Sequence, residues 1–165
     1  MVRAVSFIGH HNSGKTRLLT QLIPLLTERG YRVGAMKHAP HLEDLDARES
    51  DSAQHRAAGA ERVLLVGETS SALSWDNNPD EGVEAAITRL FADLDIVLVE
   101  GLKSGPFPKV EVYRRTRDIP REPLAGQIDV RAVITDAPVA LPDDVDVLSP
   151  SHLLDIADLV ESLIG

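Results

Sequence analysis

Residues 9–16 have the types and spacing of a phosphate-binding loop. They fit G-x-x-x-x-G-K-[ST], with Gly9, Gly14, Lys15 and Thr16 at the fixed positions and His10, His11, Asn12 and Ser13 between them. Glycine is needed because backbone N–H groups must approach phosphate oxygens at distances and angles that a side chain would obstruct. Lys15 can then reach the β and γ phosphates, and the Thr16 hydroxyl can bind Mg²⁺. The motif predicts a nucleotide-binding site, and the alternative is a surface loop that matches by chance.

Glu100 is the second candidate for chemistry. It ends the apolar run 95–99, which is typical of a central parallel strand, and Gly101 follows it. Ligands of α/β proteins lie at the carboxyl ends of such strands, and the run resembles a Walker B strand with glutamate in place of aspartate. We predict that Glu100 binds Mg²⁺ through water or positions a hydrolytic water, which makes it the catalytic candidate. The alternative is a residue that only caps the strand.

An acidic segment follows the second predicted strand. Residues 38–52 are dense in carboxylates and include Asp46 and Asp51. Because Mg²⁺ on a triphosphate prefers oxygen ligands, we predict that one of these two carboxylates reaches the metal directly or through water. The alternative is a solvated loop in which Asp51 or Ser50 caps a short helix.

Basic residues beyond two strands are candidates for anion binding. Lys37 follows the strand predicted at 31–36, and a βαβ unit places it beside the phosphate loop. Lys103, Lys109 and Arg114 concentrate positive charge after the strand that ends in Glu100. We predict a second anion site there, and the alternative is a solvated basic loop.

Asp136 ends a further apolar strand, predicted at 131–136. GTP-binding P-loop proteins often place an aspartate at this position to bind N1 and N2 of guanine. No Asn-Lys-x-Asp or Thr-Lys-x-Asp precedes it here. Base recognition and a turn initiated by Asp136 before Pro138 therefore both stay open.

Alternating strand and helix patterns are expected to position these residues. Apolar strands are predicted at 4–8, 31–36, 95–100, 110–114, 131–136 and 145–148, with helices ending at Gly30, at 52–58, at 80–91 and after a cap at Ser151. Residues 61–66 and 70–75 predict a β-hairpin. We therefore predict an α/β fold of the P-loop NTPase class, a single domain over residues 1–165. It has three α/β/α layers, a mostly parallel central sheet and a β-hairpin extension.

Composition restricts the partners. With 165 residues, 43% of them hydrophobic, the chain is long enough to bury one core. A net charge of −9 argues against binding to nucleic acid or to an anionic membrane through bulk electrostatics. The absence of cysteine fits a reducing cytoplasm, and no apolar stretch approaches the roughly 20 residues of a membrane span. We expect a soluble cytoplasmic protein.

Several motifs together resemble the MobB family, the molybdopterin-guanine dinucleotide biosynthesis proteins B. The matching stretches are 9–16, 37–38, 41–52, 58–60, 100–103 and 108–114. The resemblance implies a GTP-binding accessory protein that uses Mg²⁺, is at most a slow GTPase, and assists the MobA guanylyltransferase in joining GMP to molybdopterin. It also implies that the family's nucleotide loop is 9–16 and that its acidic metal candidates are Asp46, Asp51 and Glu100.

The resemblance further implies a homodimer. The predicted hairpin would present unpaired strand edges and the apolar residues Leu64, Leu73 and Trp75. Because such edges need a partner, we expect the segment 61–75 to build the dimer.

The rival to an adaptor is a small-molecule kinase that uses ATP or GTP. It would share the phosphate loop and the acidic strand end, and it would add an arginine-rich lid. The arginines that could serve are Arg114, Arg115, Arg117 and Arg121.

Overall fold

A computed structural model describes residues 3–41, 46–47, 49–77, 81–115 and 122–165. The chain forms two compact units, one of Met1–His38 with Ala86–Gly165 and the other of Ala39–Ala85. The strands are β1 Ala4–Ile8, β2 Val33–Lys37, β3 Val63–Val66, β4 Ser71–Ser74, β5 Ile96–Glu100, β6 Lys109–Val112, β7 Ala132–Ile134 and β8 Asp146–Leu148. The helices are α1 Lys15–Glu28, α2 Asp51–Ala57, α3 Val83–Leu90 and α4 Leu153–Ile164, with a 3₁₀ helix at Leu124–Gly126. Within the described ranges, no helix is long and apolar enough to cross a membrane.

The first unit is built on a six-stranded sheet. The strand order is β2-β5-β1-β6-β7-β8, and each neighbouring pair runs parallel. β1 is buried along its whole length, and β5 is buried up to its last residue, Glu100. Such burial on both faces is what continuous apolar runs predict for central parallel strands. The predicted mostly parallel α/β sheet is confirmed.

Side chains from helical segments cover both faces of this sheet. On one face, Leu22 of α1 and Ile156 of α4 share a core with the strand residues. On the other face, Phe91 and Leu94, which follow α3, contact β2 at Gly34. The three predicted layers are therefore present.

One predicted helix end is confirmed, and one predicted helix cap is wrong. α1 ends at Glu28, shortly before Gly30, as predicted. The predicted cap of the last helix, Ser151, is wrong, because His152 is the N-cap and makes no side-chain cap bond. The Ser151 backbone N–H instead donates to Ser149 Oγ at 3.4 Å. The Ser151 hydroxyl lies 2.8 Å from the Ser149 hydroxyl, so the oxygen that would cap the helix hydrogen-bonds to a neighbouring side chain.

The second unit contains α2 and the hairpin. β3 and β4 pair antiparallel with Leu64 opposite Leu73, so the predicted hairpin is confirmed. Ser50, one of the two predicted caps, caps α2 by accepting the Ala53 backbone N–H at 3.2 Å. The hairpin carries large apolar side chains in solvent, with Leu64 60% and Val66 73% exposed.

Candidate functional site

The phosphate loop joins β1 to α1 at the carboxyl edge of the sheet. Gly9 has φ +146° and Gly14 has φ +98°, values that favour glycine. A Cβ at Gly9 would also collide with the backbone carbonyl of Val112 and lie 2.8 Å from Ser13 Oγ. Around a Cβ at Gly14, the described chain places no atom within 4 Å. Gly9 is therefore required by its backbone angle and by the approach of β6, and Gly14 by its angle alone.

The start of α1 offers uncapped N–H groups. Gly14 is the N-cap without a side-chain cap bond, and the first turn contains no acidic residue. The first N–H groups of a helix have no partner within the helix, and the helix dipole makes that end positive. This end of α1 can therefore accept an anion.

Lys15 bends back over the loop that precedes it. Its Nζ donates to the carbonyl oxygens of Gly9 at 3.1 Å and of His10 at 2.8 Å. Partial burial lowers the pKa of Lys15, Glu100 opposes that shift, and Lys103 adds to it. The ammonium group is thus held at the loop, and both Glu100 and Lys103 are within its electrostatic reach.

Glu100 faces Thr16 at the end of β5. Thr16 Oγ1 donates to Glu100 Oε1 at 2.9 Å and to Oε2 at 3.0 Å. Lys37 Nζ lies 3.4 Å from Glu100 Oε1, and the Glu100 side chain is only 13% exposed. The structure therefore brings together a hydroxyl, a carboxylate and a cation that the sequence analysis assigned to one site.

A cavity of about 600 Å³ adjoins the phosphate loop. Its walls include Ser13 of the loop, Arg17 of α1, Arg114 after β6 and Asp136 after β7. The volume is that of a small-molecule site. Because Arg17, Arg114, Arg115 and the carboxylate of Asp136 share the wall, the cavity can hold a ligand with both anionic and hydrogen-bond donor groups.

Asp136 is held at the cavity wall from one side. Its Oδ1 accepts the Ser149 hydroxyl at 2.7 Å. The turn beyond β7 is closed by Thr135, whose Oγ1 accepts the Ala137 backbone N–H at 3.0 Å. Thr135 therefore makes a side-chain hydrogen bond in this turn, and base recognition by Asp136 stays a prediction.

The three cations of the expected second anion site have different surroundings. Lys109 opens β6, and its Nζ donates to two carbonyl oxygens of its own loop at 2.9 and 3.1 Å. Arg114 lies beyond the other end of β6 and lines the cavity. Lys103 is close enough to lower the pKa of Lys15. Lys109 and Arg114 thus lie at opposite ends of β6, and Lys109 stabilises its own loop.

The acidic candidates Asp46 and Asp51 belong to the second unit. Asp46 Oδ2 lies 3.4 Å from Arg56 Nη2, and Asp51 is the exposed first residue of α2. A metal role for either residue stays a prediction. Among the residues that the structure describes, no group of three or more His, Asp or Glu side chains is arranged to hold a metal ion. Any cation at Thr16 and Glu100 would therefore need further ligands, as Mg²⁺ takes from water and phosphate.

The cavity wall also includes residues that the sequence analysis did not assign. Arg17 and Gln21 lie one turn apart on α1 and both line the cavity. In the sequence they are polar residues at helical spacing, which is equally typical of a solvated helix face. The sequence pattern alone does not distinguish a cavity wall from a solvated helix face. The distinction comes from the strand ends that lie beside α1 in the fold.

Two members of the arginine cluster considered for a kinase lid, Arg114 and Arg115, line the cavity. The other two, Arg117 and Arg121, lie outside the described residues. The lid itself therefore stays a prediction.

The parallel sheet and the loop between β1 and α1 define the class, an α/β protein with a P-loop NTPase-like fold. The family model described as molybdopterin guanine dinucleotide synthesis protein B, MobB, matches residues 4–136. The chain belongs to the MobB family, which confirms the resemblance of its motifs. A role in the synthesis of molybdopterin guanine dinucleotide follows from this membership.

Individual relatives and a solved structure agree with the family assignment. The molybdopterin-guanine dinucleotide biosynthesis adapter protein of Escherichia coli (strain K12) is 32% identical over 163 residues, which cover 97% of this chain and 92% of that protein. The protein of the same name from Haemophilus influenzae is 33% identical over 159 residues, covering 93% and 85%. The crystal structure of the MobB protein homolog from Bacillus stearothermophilus matches with a TM-score of 0.68 at 25% identity, covering 98% of this chain and 99% of that one.

Proposed function

We propose that this protein binds GTP with Mg²⁺ and acts as an adaptor for a MobA-type guanylyltransferase in molybdopterin guanine dinucleotide synthesis. The observation that carries the nucleotide part is that the phosphate loop adjoins both the Thr16–Glu100 pair and the cavity lined by Asp136. The adaptor part is supported by the names of the Escherichia coli and Haemophilus influenzae relatives.

The loop 9–16 is proposed to hold the phosphates. The uncapped N–H groups at the start of α1 provide donors, and Lys15 provides a cation held over the loop. Burial disfavours the charged form of Lys15, whereas a bound anion would favour it. Phosphate binding is therefore expected to raise the pKa of Lys15 back toward its ordinary value.

Thr16 and Glu100 are proposed to hold Mg²⁺. Two oxygens bound to one Mg²⁺ at about 2.1 Å and at right angles lie about 3.0 Å apart. Thr16 Oγ1 lies 2.9 and 3.0 Å from the Glu100 oxygens, so these residues fit one octahedral edge. Bound Mg²⁺ would neutralise part of the phosphate charge.

Glu100 is also proposed to position a hydrolytic water. Its oxygens already accept from Thr16 and lie beside the ammonium of Lys37, so they are less available to accept a hydrogen bond from a water molecule. We therefore expect a weak GTPase at most.

The guanosine is proposed to occupy the cavity. Asp136 can accept hydrogen bonds from N1 and N2 of guanine, whereas adenine has an acceptor at N1 and no 2-amino group. The Ser149 hydroxyl orients the carboxylate at the wall. Arg114, and Lys103 near Lys15, are further candidates to meet an anionic group, including the phosphate of molybdopterin if the protein contacts it.

The hairpin is proposed to form a homodimer. A two-stranded sheet has two open edges, and exposed apolar residues such as Leu64 and Val66 favour burial against another protein surface. A second copy would supply matching edges and apolar side chains.

Calorimetry with GTP and ATP, with and without Mg²⁺, tests the nucleotide part. We expect tighter binding of GTP than of ATP and a gain in affinity with Mg²⁺. The adaptor part is tested by adding the protein to a MobA-type enzyme and measuring dinucleotide formation. Equal affinity for ATP and GTP would contradict guanine recognition, and phosphate transfer to a small acceptor would favour the kinase.

A further inference from the structure

Glu111 is a buried carboxylate that the proposed nucleotide site does not use. It lies in β6 between Ile8 of β1 and Val133 of β7, and its exposure is 0%. Burying a carboxylate is costly unless hydrogen bonds replace its hydration. A glutamate in the interior of this sheet therefore calls for specific partners.

Those partners are backbone groups of one short segment. Glu111 Oε1 accepts the Leu124 N–H at 2.8 Å, and Oε2 accepts the Ala125 N–H at 2.9 Å. Both residues begin the 3₁₀ helix, where the first N–H groups lack partners within the helix. Hydrogen bonds to an ionised oxygen are among the stronger ones. Glu111 thus anchors the segment 122–126 to the sheet.

The same segment also contacts the phosphate loop. His10 Nε2 lies 3.0 Å from the Glu122 carbonyl oxygen, a distance at which its N–H donates. The next residues of the loop include Asn12, whose φ of +60° is uncommon for a residue other than glycine. Such a backbone conformation persists when surrounding contacts hold it. The segment is therefore fixed by the sheet through Glu111 and holds the loop through His10.

We propose that Glu111 is a positioning residue for the phosphate loop. It fixes the segment 122–126, the segment fixes His10, and His10 holds the loop in the conformation that binds phosphate. The effect on nucleotide affinity rests on the proposed function above. The anchoring itself is a property of the nucleotide-free protein, so the two can be tested apart.

The principal test is Glu111→Gln. Glutamine keeps the shape but replaces one acceptor oxygen with an N–H₂ donor, which cannot accept from the second backbone N–H. We expect the Leu124 and Ala125 amides of the nucleotide-free protein to exchange with deuterium at least about tenfold faster. We also expect the His10 ring resonance to shift and GTP to bind about tenfold more weakly.

The matched control is Val110→Ala on the same strand. Val110 is equally buried but packs in the core shared with α1 and α4, on the face opposite Glu111. It should lower the melting temperature while leaving the His10 resonance unchanged and GTP affinity within about twofold. In a His10→Ala background, Glu111→Gln should add little further loss, because both changes break the same link.

If Glu111→Gln fails to fold, Leu124→Pro removes the N–H that meets Oε1 at the first position of the 3₁₀ helix, where proline is tolerated. Faster exchange of the Ala125 amide is expected, with the same changes in the His10 resonance and in GTP affinity. The proposal is overturned by an unchanged His10 resonance, by a full additional loss in the His10→Ala background, or by an equal loss of GTP affinity in Val110→Ala. If the unaltered protein does not bind GTP, the proposed function is wrong. The His10 resonance of the nucleotide-free protein would still test whether Glu111 positions the phosphate loop.

Discussion

The carboxyl ends of the central strands and the hairpin of the second unit present different kinds of surface. At the sheet edge, Thr16 and Lys37 meet Glu100, so charged and polar groups from distant parts of the chain are held against one another. The hairpin exposes apolar side chains such as Leu64 and Val66. Preorganised polar groups suit a small charged ligand, whereas exposed apolar strands need another protein. We therefore expect substitutions beside Glu100 to weaken nucleotide binding without affecting self-association, and substitutions in the hairpin to have the reverse effect.

The largest effect is expected from Lys15→Ala. The change removes the cation at the phosphate loop, and GTP should bind at least about a hundredfold more weakly. The oligomeric state of the protein in solution should not change, because the described hydrogen bonds of Lys15 all lie within its own loop. Calorimetry and light scattering on the same sample measure both quantities.

Lys103→Ala is the control for Lys15. Lys103 contributes to the same electrostatic environment, so its loss should weaken GTP binding by no more than about fivefold. Equal losses in both variants would mean that the net positive charge near the site, and not a specific contact of the phosphate loop, determines the affinity for GTP.

Leu64→Glu addresses the hairpin. A charge placed among apolar side chains at the proposed dimer interface should weaken self-association at least about thirtyfold and leave GTP affinity unchanged. Leu154→Glu is a matched control, because Leu154 on α4 is 61% exposed against 60% for Leu64. If both variants stay dimeric by analytical ultracentrifugation, the hairpin is not the interface.

Glu100→Gln separates metal from phosphate at the sheet edge. Glutamine keeps one oxygen but loses the negative charge, so the gain in GTP affinity on adding Mg²⁺ should fall by about tenfold. Binding without metal should be nearly unaffected. Asp95→Asn is the control at the other end of the β5 region, where Asp95 pairs with Arg32 at 3.1 Å. A loss of metal-free binding as large as the metal-dependent loss would contradict the assignment of Glu100.

Much of the fold and part of the candidate site could be predicted because the signals are local. The loop 9–16 is contiguous, the apolar run before Glu100 is unbroken, and the two halves of the hairpin lie close in sequence. The placement of Thr16 beside Glu100 also followed from the general rule that parallel strands end at one edge. These predictions needed no knowledge of distant side-chain contacts.

The remaining features depend on contacts that leave no local signal. Val110, Glu111 and Val112 alternate as in a strand with one solvated face, yet Glu111 is fully buried. The segment 122–126 covers that face, and the partners of the carboxylate are backbone N–H groups whose side chains give no indication of the bond. The prediction that Ser151 caps the last helix was wrong for a related reason, since its hydroxyl hydrogen-bonds to the neighbouring Ser149 hydroxyl.

The smallest effect is expected from Asp136→Asn, which tests guanine recognition. Asparagine offers one acceptor oxygen in place of two, so the preference for GTP over ATP should fall by about fivefold while ATP affinity stays the same. Ser149→Ala removes the hydroxyl that donates to Asp136 Oδ1 at 2.7 Å and should reduce the preference by about twofold, because the carboxylate loses only its orientation. Competition between the two nucleotides for one labelled analogue measures the ratio directly. A parallel loss of GTP and ATP affinity would mean that Asp136 shapes the cavity without contacting the base. An unchanged ratio in both variants would mean that Asp136 does not recognise the base.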